Sequence, residues 1–208
     1  MKTIQKKSRW EDHYSIKAKH EKFPARSVYK LKEIQEKFNL IKKGQHILDL
    51  GCAPGSWLIY ASEKVGAKGQ VTGIDLKPVN VQMPPNVKTC KGDIFSIEES
   101  DLILDEQGFH LVMSDMAPYT TGNKHVDSAR SFNLSEAALK MAEKALIPGG
   151  SFICKIFQSE DFPKFLEMVK SDFKNVKIYK PQSTRRASKE IYIIGIEKKP
   201  EKPAIIKQ

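Results

Sequence analysis

A strand, a tight glycine turn and a helix in immediate succession constrain this chain more than any other feature. The segment DLGCAPGSW (49–57) follows an apolar run at 46–50 and opens a run at 56–65 with helical spacing of its apolar residues. A glycine turn between a first strand and a first helix is the start of a doubly wound α/β sheet and brings backbone close to a bound nucleotide. It is not the dinucleotide fingerprint, because Cys52, Ala53 and Pro54 separate Gly51 from Gly55 and the middle glycine of G-x-G-x-x-G is missing. Asp49, just before the turn, sets a carboxylate beside the ligand. That charge repels a pyrophosphate and attracts a cationic or zwitterionic molecule.

Strand-like and helix-like runs alternate beyond the turn. Strands are expected at 46–50, 70–75, 87–91, 110–114, 151–157, 175–180 and 190–197, and helices at 25–38, 56–65, 97–105, 128–146 and 160–172. Pro148-Gly149-Gly150 reads as the stop of the long helix. The alternation predicts an α/β fold: a seven-stranded, mostly parallel sheet with helices on both faces, its last two strands close enough in sequence to pair as a hairpin. Residues 1–22 read as a basic N-terminal arm, 23–197 as one domain and 198–208 as a loose tail. With 208 residues, 40% of them hydrophobic, a single domain can bury a sizeable core.

The net charge of +10 points to a polyanion such as RNA as partner. Three scattered cysteines, Cys52, Cys90 and Cys154, form no C-x-x-C pair, so no metal is expected, and Cys90 and Cys154 read as reduced, buried packing residues. No apolar run reaches the ~20 residues of a membrane span, and the basic N-terminus has no apolar signal core. A cytoplasmic protein acting as a monomer is expected.

In open α/β sheets, ligands sit beyond the carboxyl ends of the strands. Here Asp75 ends QVTGID, Asp93 follows the third strand and Asp115 ends LVMSD. Asp75 suits ribose hydroxyls, and Asp93 or its neighbouring backbone suits an adenine amino group. Together with Asp49 these acids fit S-adenosylmethionine, which carries an ammonium and a sulfonium. A second set draws attention: Lys30, Asp115, Lys155 and Glu190. Lys155 interrupts the apolar strand SFICKIF, where a lysine must snorkel outward or find carboxylates.

On the segments ARSVYKL (25–31), LDLGCAPGSW (48–57), VMSDMAP (112–118), GGSFICKIFQ (149–158) and SKEIYI (188–193), the chain resembles the RrmJ/FtsJ family of RNA ribose 2'-O-methyltransferases. The resemblance implies a Rossmann-like class I fold, S-adenosylmethionine as methyl donor and a Lys-Asp-Lys-Glu tetrad at Lys30, Asp115, Lys155 and Glu190. It carries the family's cofactor contacts to Gly55, Trp57, Asp75, Asp93 and Asp115. The rest of the turn, Asp49, Gly51, Ala53, Pro54 and Ser56, is expected to line the same site. Ser56 stands where the bacterial pattern commonly has a second glycine; being small, it is expected to leave cofactor binding intact. The implied substrate is a uridine of large-subunit (23S) rRNA, free or in the large ribosomal subunit. A tRNA anticodon loop is the alternative, since members acting on tRNA share the tetrad, and an inactive RNA-binding assembly factor is the alternative of another class.

A ribose hydroxyl becomes nucleophilic only as its proton is lost or shared, and Lys155 is the candidate to assist. Lys30 and desolvation favour a neutral amine there, whereas Asp115 and Glu190 favour the ammonium. RNA is expected to meet the N-terminal arm with Arg9, then Arg26, and the loop carrying Arg185 and Arg186, which precedes Glu190.

Overall fold

The computed structural model describes residues 9–97 and 108–200. Their elements run α1 (Arg9–His20), α2 (Val28–Phe38), β1 (His46–Leu50), α3 (Ser56–Val65), β2 (Gln70–Asp75), β3 (Val87–Lys91), β4 (Phe109–Ser114), α4 (Lys124–Ala145), β5 (Leu146–Phe157), α5 (Phe162–Asp172), β6 (Phe173–Tyr179) and β7 (Glu190–Lys198). The strands form one seven-stranded sheet in the order β3-β2-β1-β4-β5-β7-β6. Pairs from β3 across to β5 are parallel; β7 runs antiparallel to both β5 and β6. The expected mostly parallel sheet and terminal hairpin are both present.

Alternation along each strand divides the interior into two cores. Ile47, Met113, Ile153 and Tyr192 face α2 and α3, whereas Leu48, Val112, Cys154 and Ile193 face α4 and α5. On strands buried from both sides, a polar residue therefore occupies a core position. Asp49 and Lys155 do so, on the side of Ile47 and Ile153, and each needs a local reason to be there.

The boundaries differ from the sequence reading in instructive places. α2 begins at Val28 rather than 25, because the backbone of Ala25 is held by the Ser56 side chain instead of entering the helix. Pro148-Gly149-Gly150 does not stop α4, which has ended at Ala145; the triplet lies within β5. There the stretch from Leu146 to Ser151 faces only Phe109 to Leu111 of β4, and glycine at φ +82° accommodates the bulge. The basic arm is helical from Arg9. The helix expected at 97–105 falls, apart from Ile97, outside the described residues. Cys52 and Cys154 are buried and Cys90 only half-buried, all three as free thiols. Among the described residues no helix is long and apolar enough to cross a membrane.

Candidate active site

Three strands and one helix bring the four predicted residues together at the carboxyl edge of the parallel strands. β4 ends at Ser114, which aligns with Cys154, so Asp115 and Lys155 follow side by side. β7 is antiparallel, so its first residue, Glu190, starts at the same edge, opposite Phe157. α2 packs across this edge and supplies Lys30. Lys155 Nζ lies 2.9 Å from Asp115 Oδ1 and 3.9 Å from Glu190 Oε1, and it also donates to the Asp115 carbonyl. Lys30 Nζ lies 3.0 Å from Glu190 Oε2 and 3.7 Å from Asp115 Oδ1. Each lysine thus touches both acids.

Tyr192 completes the cluster, and sequence reasoning missed it. It aligns with Lys155 across β5 and β7, and its hydroxyl donates to Asp115 Oδ1 at 2.6 Å. The signal was available: two residues after Glu190 on a strand, its side chain shares that residue's face. Burial alone would raise the Asp115 carboxyl. The Lys155 and Lys30 cations and the Tyr192 and Lys155 hydrogen bonds outweigh it and hold the group below the usual carboxylate range. Burial, reinforced by Asp115, pushes the Tyr192 phenol well up, so it stays a hydrogen-bond donor.

A cleft of about 460 Å³ adjoins the cluster and is lined by Gly51, Ala53, Asp75, Asp93 and Asp115 of the expected set, with Ile74, Leu76, Phe95 and Met116 as apolar walls. A narrow crevice beside it is lined by Asp49, Pro54, Ser56 and Trp57 and shares Gly51, Ala53 and Asp115. Gly55 borders neither. It packs against the 79–83 loop, where a Cβ would come within 2.7 Å of Met83, and its φ of +106° suits glycine. A Cβ on Gly51 would lie 2.3 Å from the Met116 side chain, so this glycine lets the 115–117 segment close on the turn.

The turn does not present a nest of free amides. The N–H groups of Gly51 and Cys52 donate to the Ile74 carbonyl, that of Gly55 to Cys52, and that of Ala53 to Asp75 Oδ2. What it presents is carboxylate. Asp49 is 1% exposed, and its Oδ2 is buried without a hydrogen-bond partner. Burial, then the neighbouring charges of Asp115 and Asp75, push its carboxyl well above the usual range. A buried acid of this kind fits a ligand that brings an ammonium, and it does not fit a phosphate. Asp75 Oδ1 accepts from the Lys77 N–H and Asp93 Oδ1 from the Phe95 N–H, so both carboxylates are oriented at the cleft wall.

Ser56 and Trp57 turn away from the cleft. Ser56 Oγ accepts from the Ala25 N–H at 2.7 Å and donates to the Ala25 carbonyl at 3.1 Å. Trp57 Nε1 donates to the Ser27 carbonyl at 2.9 Å, and its ring stacks on Tyr192 at 6.2 Å between centroids. Arg26 lies between these two anchored residues. Its guanidinium donates to the Ser183 carbonyl at 2.8 Å and lies over the Tyr14 ring. Glu33, which sequence reasoning also missed, accepts from the Gln182 and Ser183 N–H groups. Glu33 of α2 and Arg26, just before it, therefore fasten the 181–189 loop, leaving Arg185 and Arg186 exposed at its tip. Arg9 opens α1, and its side chain lies outside those described.

The model of the FtsJ-like methyltransferase family matches residues 23–198. A protein of Desulforapulum autotrophicum named ribosomal RNA large subunit methyltransferase E is 56% identical over 198 residues, covering 95% of this chain and 98% of its own. A protein of the same name from Desulfosudis oleivorans is 53% identical, with 90% and 91% covered. Among solved structures, a Plasmodium falciparum protein described as a ribosomal RNA methyltransferase superposes with a TM-score of 0.77 at 28% identity, covering 86% of this chain and all of that one.

Proposed function

This chain belongs to the FtsJ-like methyltransferase family, and we propose that it transfers a methyl group from S-adenosylmethionine to the ribose 2'-hydroxyl of a uridine in large-subunit (23S) rRNA. The observation that carries the reading is the buried Lys155, 5% exposed, held against Asp115 at the end of β4 where the cleft begins. The names of the relatives support ribosomal RNA over tRNA. A large subunit, assembled or assembling, is the implied partner, and the cytoplasm the implied compartment.

When bound, S-adenosylmethionine supplies a methyl carbon already activated by its sulfonium, so the protein's own task is the hydroxyl. Asp49 would meet the ligand's ammonium, and Asp75 and Asp93 its ribose and adenine. Lys155 would hold the 2'-oxygen by an ammonium hydrogen bond, which eases loss of the hydroxyl proton to water and stabilises the charge that develops there. Its contact with Glu190, at 3.9 Å, is the loosest of the three around its nitrogen, and this is the donor direction most easily given to a substrate hydroxyl. Asp115 and Glu190 keep both lysines oriented, and Lys30 keeps the two acids from repelling each other. Positioning of this kind requires no metal.

The test offers methyl-labelled S-adenosylmethionine to unmodified tRNA, free 23S rRNA and under-methylated large subunits, and maps the modified ribose. Label on a uridine 2'-oxygen of the rRNA or subunit is the expected result. Label on a tRNA ribose instead would reassign the substrate, and no label on any RNA would refute the activity.

A further inference from the structure

Tyr119 is a large aromatic side chain left 90% exposed at the wall of the cleft, on the segment that follows Asp115. An exposed ring on a loose loop would mean little, but the backbone beneath this one is pinned. Arg130 of α4 donates to the Tyr119 carbonyl at 3.0 Å. Asp127, itself buried, accepts from the Thr121 N–H, the Thr121 hydroxyl and the Gly122 N–H. Asn123 caps α4 by accepting from the His125 and Val126 N–H groups. Charge agrees with this anchoring: the Thr121 and Gly122 hydrogen bonds hold the Asp127 carboxyl below the usual range, so it remains an acceptor. Six hydrogen bonds tie down a turn whose most prominent product is one ring held in solvent.

Cations stand on the helix that this turn opens. Lys124, His125 and Arg130 are exposed on the first turns of α4. This edge lies on the β4 side of the tetrad, whereas Arg185 and Arg186 lie on the β7 side. A strand of RNA crossing the tetrad would have cationic surface on both flanks. Exposed aromatics among cations are the usual platform for unpaired bases. The adenine of the cofactor has other candidates for its walls, because Leu76 and Phe95 follow the strand-end acids on β2 and β3.

We propose that Tyr119 is a stacking platform for an unpaired base of the RNA substrate, adjacent to the nucleotide whose ribose is methylated. The proposal rests on the reading of the chain as an RNA ribose methyltransferase and adds to it a recognition element outside the tetrad and the cofactor residues. It also explains why a segment so close to the tetrad is both tied down by hydrogen bonds and solvent-facing. The ring stands ready before RNA arrives, with no partner among the described residues to leave.

The experiment uses the full chain with under-methylated large subunits and free 23S rRNA. Y119A is expected to raise KM for RNA roughly 5- to 150-fold, the range for losing one base–aromatic stack. Calorimetric affinity for S-adenosylmethionine should be unchanged, and Y119F should behave like the parent. In a synthetic RNA fragment, removing the base on one side of the methylated nucleotide should weaken the parent protein and leave Y119A indifferent. Equal KM values for Y119A and the parent would overturn the platform. A loss of cofactor affinity in its place would assign the ring to the adenosine. If the parent protein methylates no RNA, the functional reading fails first and the platform falls with it.

Discussion

Asp49 and Asp115 stand at the ends of neighbouring strands, β1 and β4, and both lie in surroundings that penalise a charge. Their carboxyls nevertheless move in opposite directions, Asp49 well up and Asp115 down. The difference is company. Asp115 has Lys155, Lys30 and the Tyr192 hydroxyl within contact, whereas Asp49 has an oxygen with no partner and two acids as its nearest charges. A buried charge whose counterions are built into the fold is a fixed device. One without them suits a cation that arrives from outside. On the proposed reading the reaction centre combines one of each, joined through the crevice that both residues line.

The strongest way to break the fixed device is Lys155→Ala. Methyl transfer at saturating RNA and cofactor should fall at least about 100-fold, the lower end for removing a group that assists proton transfer. Cofactor affinity should persist, because Asp49, Asp75 and Asp93 are untouched. Single-turnover rates beside calorimetric binding separate the two. A variant that kept its rate would remove Lys155 from the chemistry and leave the cluster a structural ion-pair network.

The contrast itself is sharpened by comparing Asp49→Asn with Asp115→Asn. The first should weaken S-adenosylmethionine binding roughly 10- to 150-fold, the worth of a hydrogen bond between charged partners. It should leave thermal stability unchanged or raised, since it removes an unpartnered buried acid. The second should destabilise the protein by about 1–3 kcal/mol, because two lysines lose the negative charge they share. The pH dependences should oppose each other as well. Asp115 is depressed in the folded state, so its stabilisation is present above the unfolded value of about 3.9 and is lost as pH falls through the lower folded value. Asp49 is raised, so its contribution is most favourable below about 3.9 and is lost as pH rises toward the folded value. Denaturant midpoints against pH for the parent and both variants should flatten in opposite senses. Parallel profiles would mean that the two carboxyls share one environment.

This pairing also marks how far the sequence could be read. The sheet, its two layers and the terminal hairpin were legible because strand and helix periods alternate cleanly. Carboxylate partners for Lys155 were legible because a lysine inside SFICKIF demands acids nearby, and the tetrad as a set, Lys30 included, through the family resemblance. What could not be read was which acid keeps which partner. Asp49, Asp75, Asp93 and Asp115 look alike in sequence, each at the end of a strand. Only the register that sets Tyr192 beside Lys155, and the acids rather than cations whose charge acts on Asp49 among the described residues, separate them. Arg26 shows the same limit: its charge suggested RNA, and the fold has it donating to the Ser183 carbonyl. Hydrogen bonds between residues 157 positions apart leave no trace in local pattern.

Ser56 gives the smallest effect and the most discriminating one. Its place in the turn suggested a contact with the cofactor, yet both of its hydrogen bonds go to the backbone of Ala25. With Trp57 gripping the Ser27 carbonyl, it fixes the approach to α2 from either side of Arg26, and α2 carries Lys30. Ser56→Gly should therefore cost about 1–2 kcal/mol of stability, two net hydrogen bonds, and leave cofactor affinity within about twofold, well below the worth of even one lost hydrogen bond to a charged group. Any loss of rate should come through Lys30, lowering kcat with KM for S-adenosylmethionine unmoved. Ser56→Thr, which retains the hydroxyl, should recover most of the stability if its extra methyl fits the crevice. If glycine instead weakened cofactor binding while sparing stability, Ser56 would belong with Asp49 beside the cofactor rather than with the frame around the tetrad.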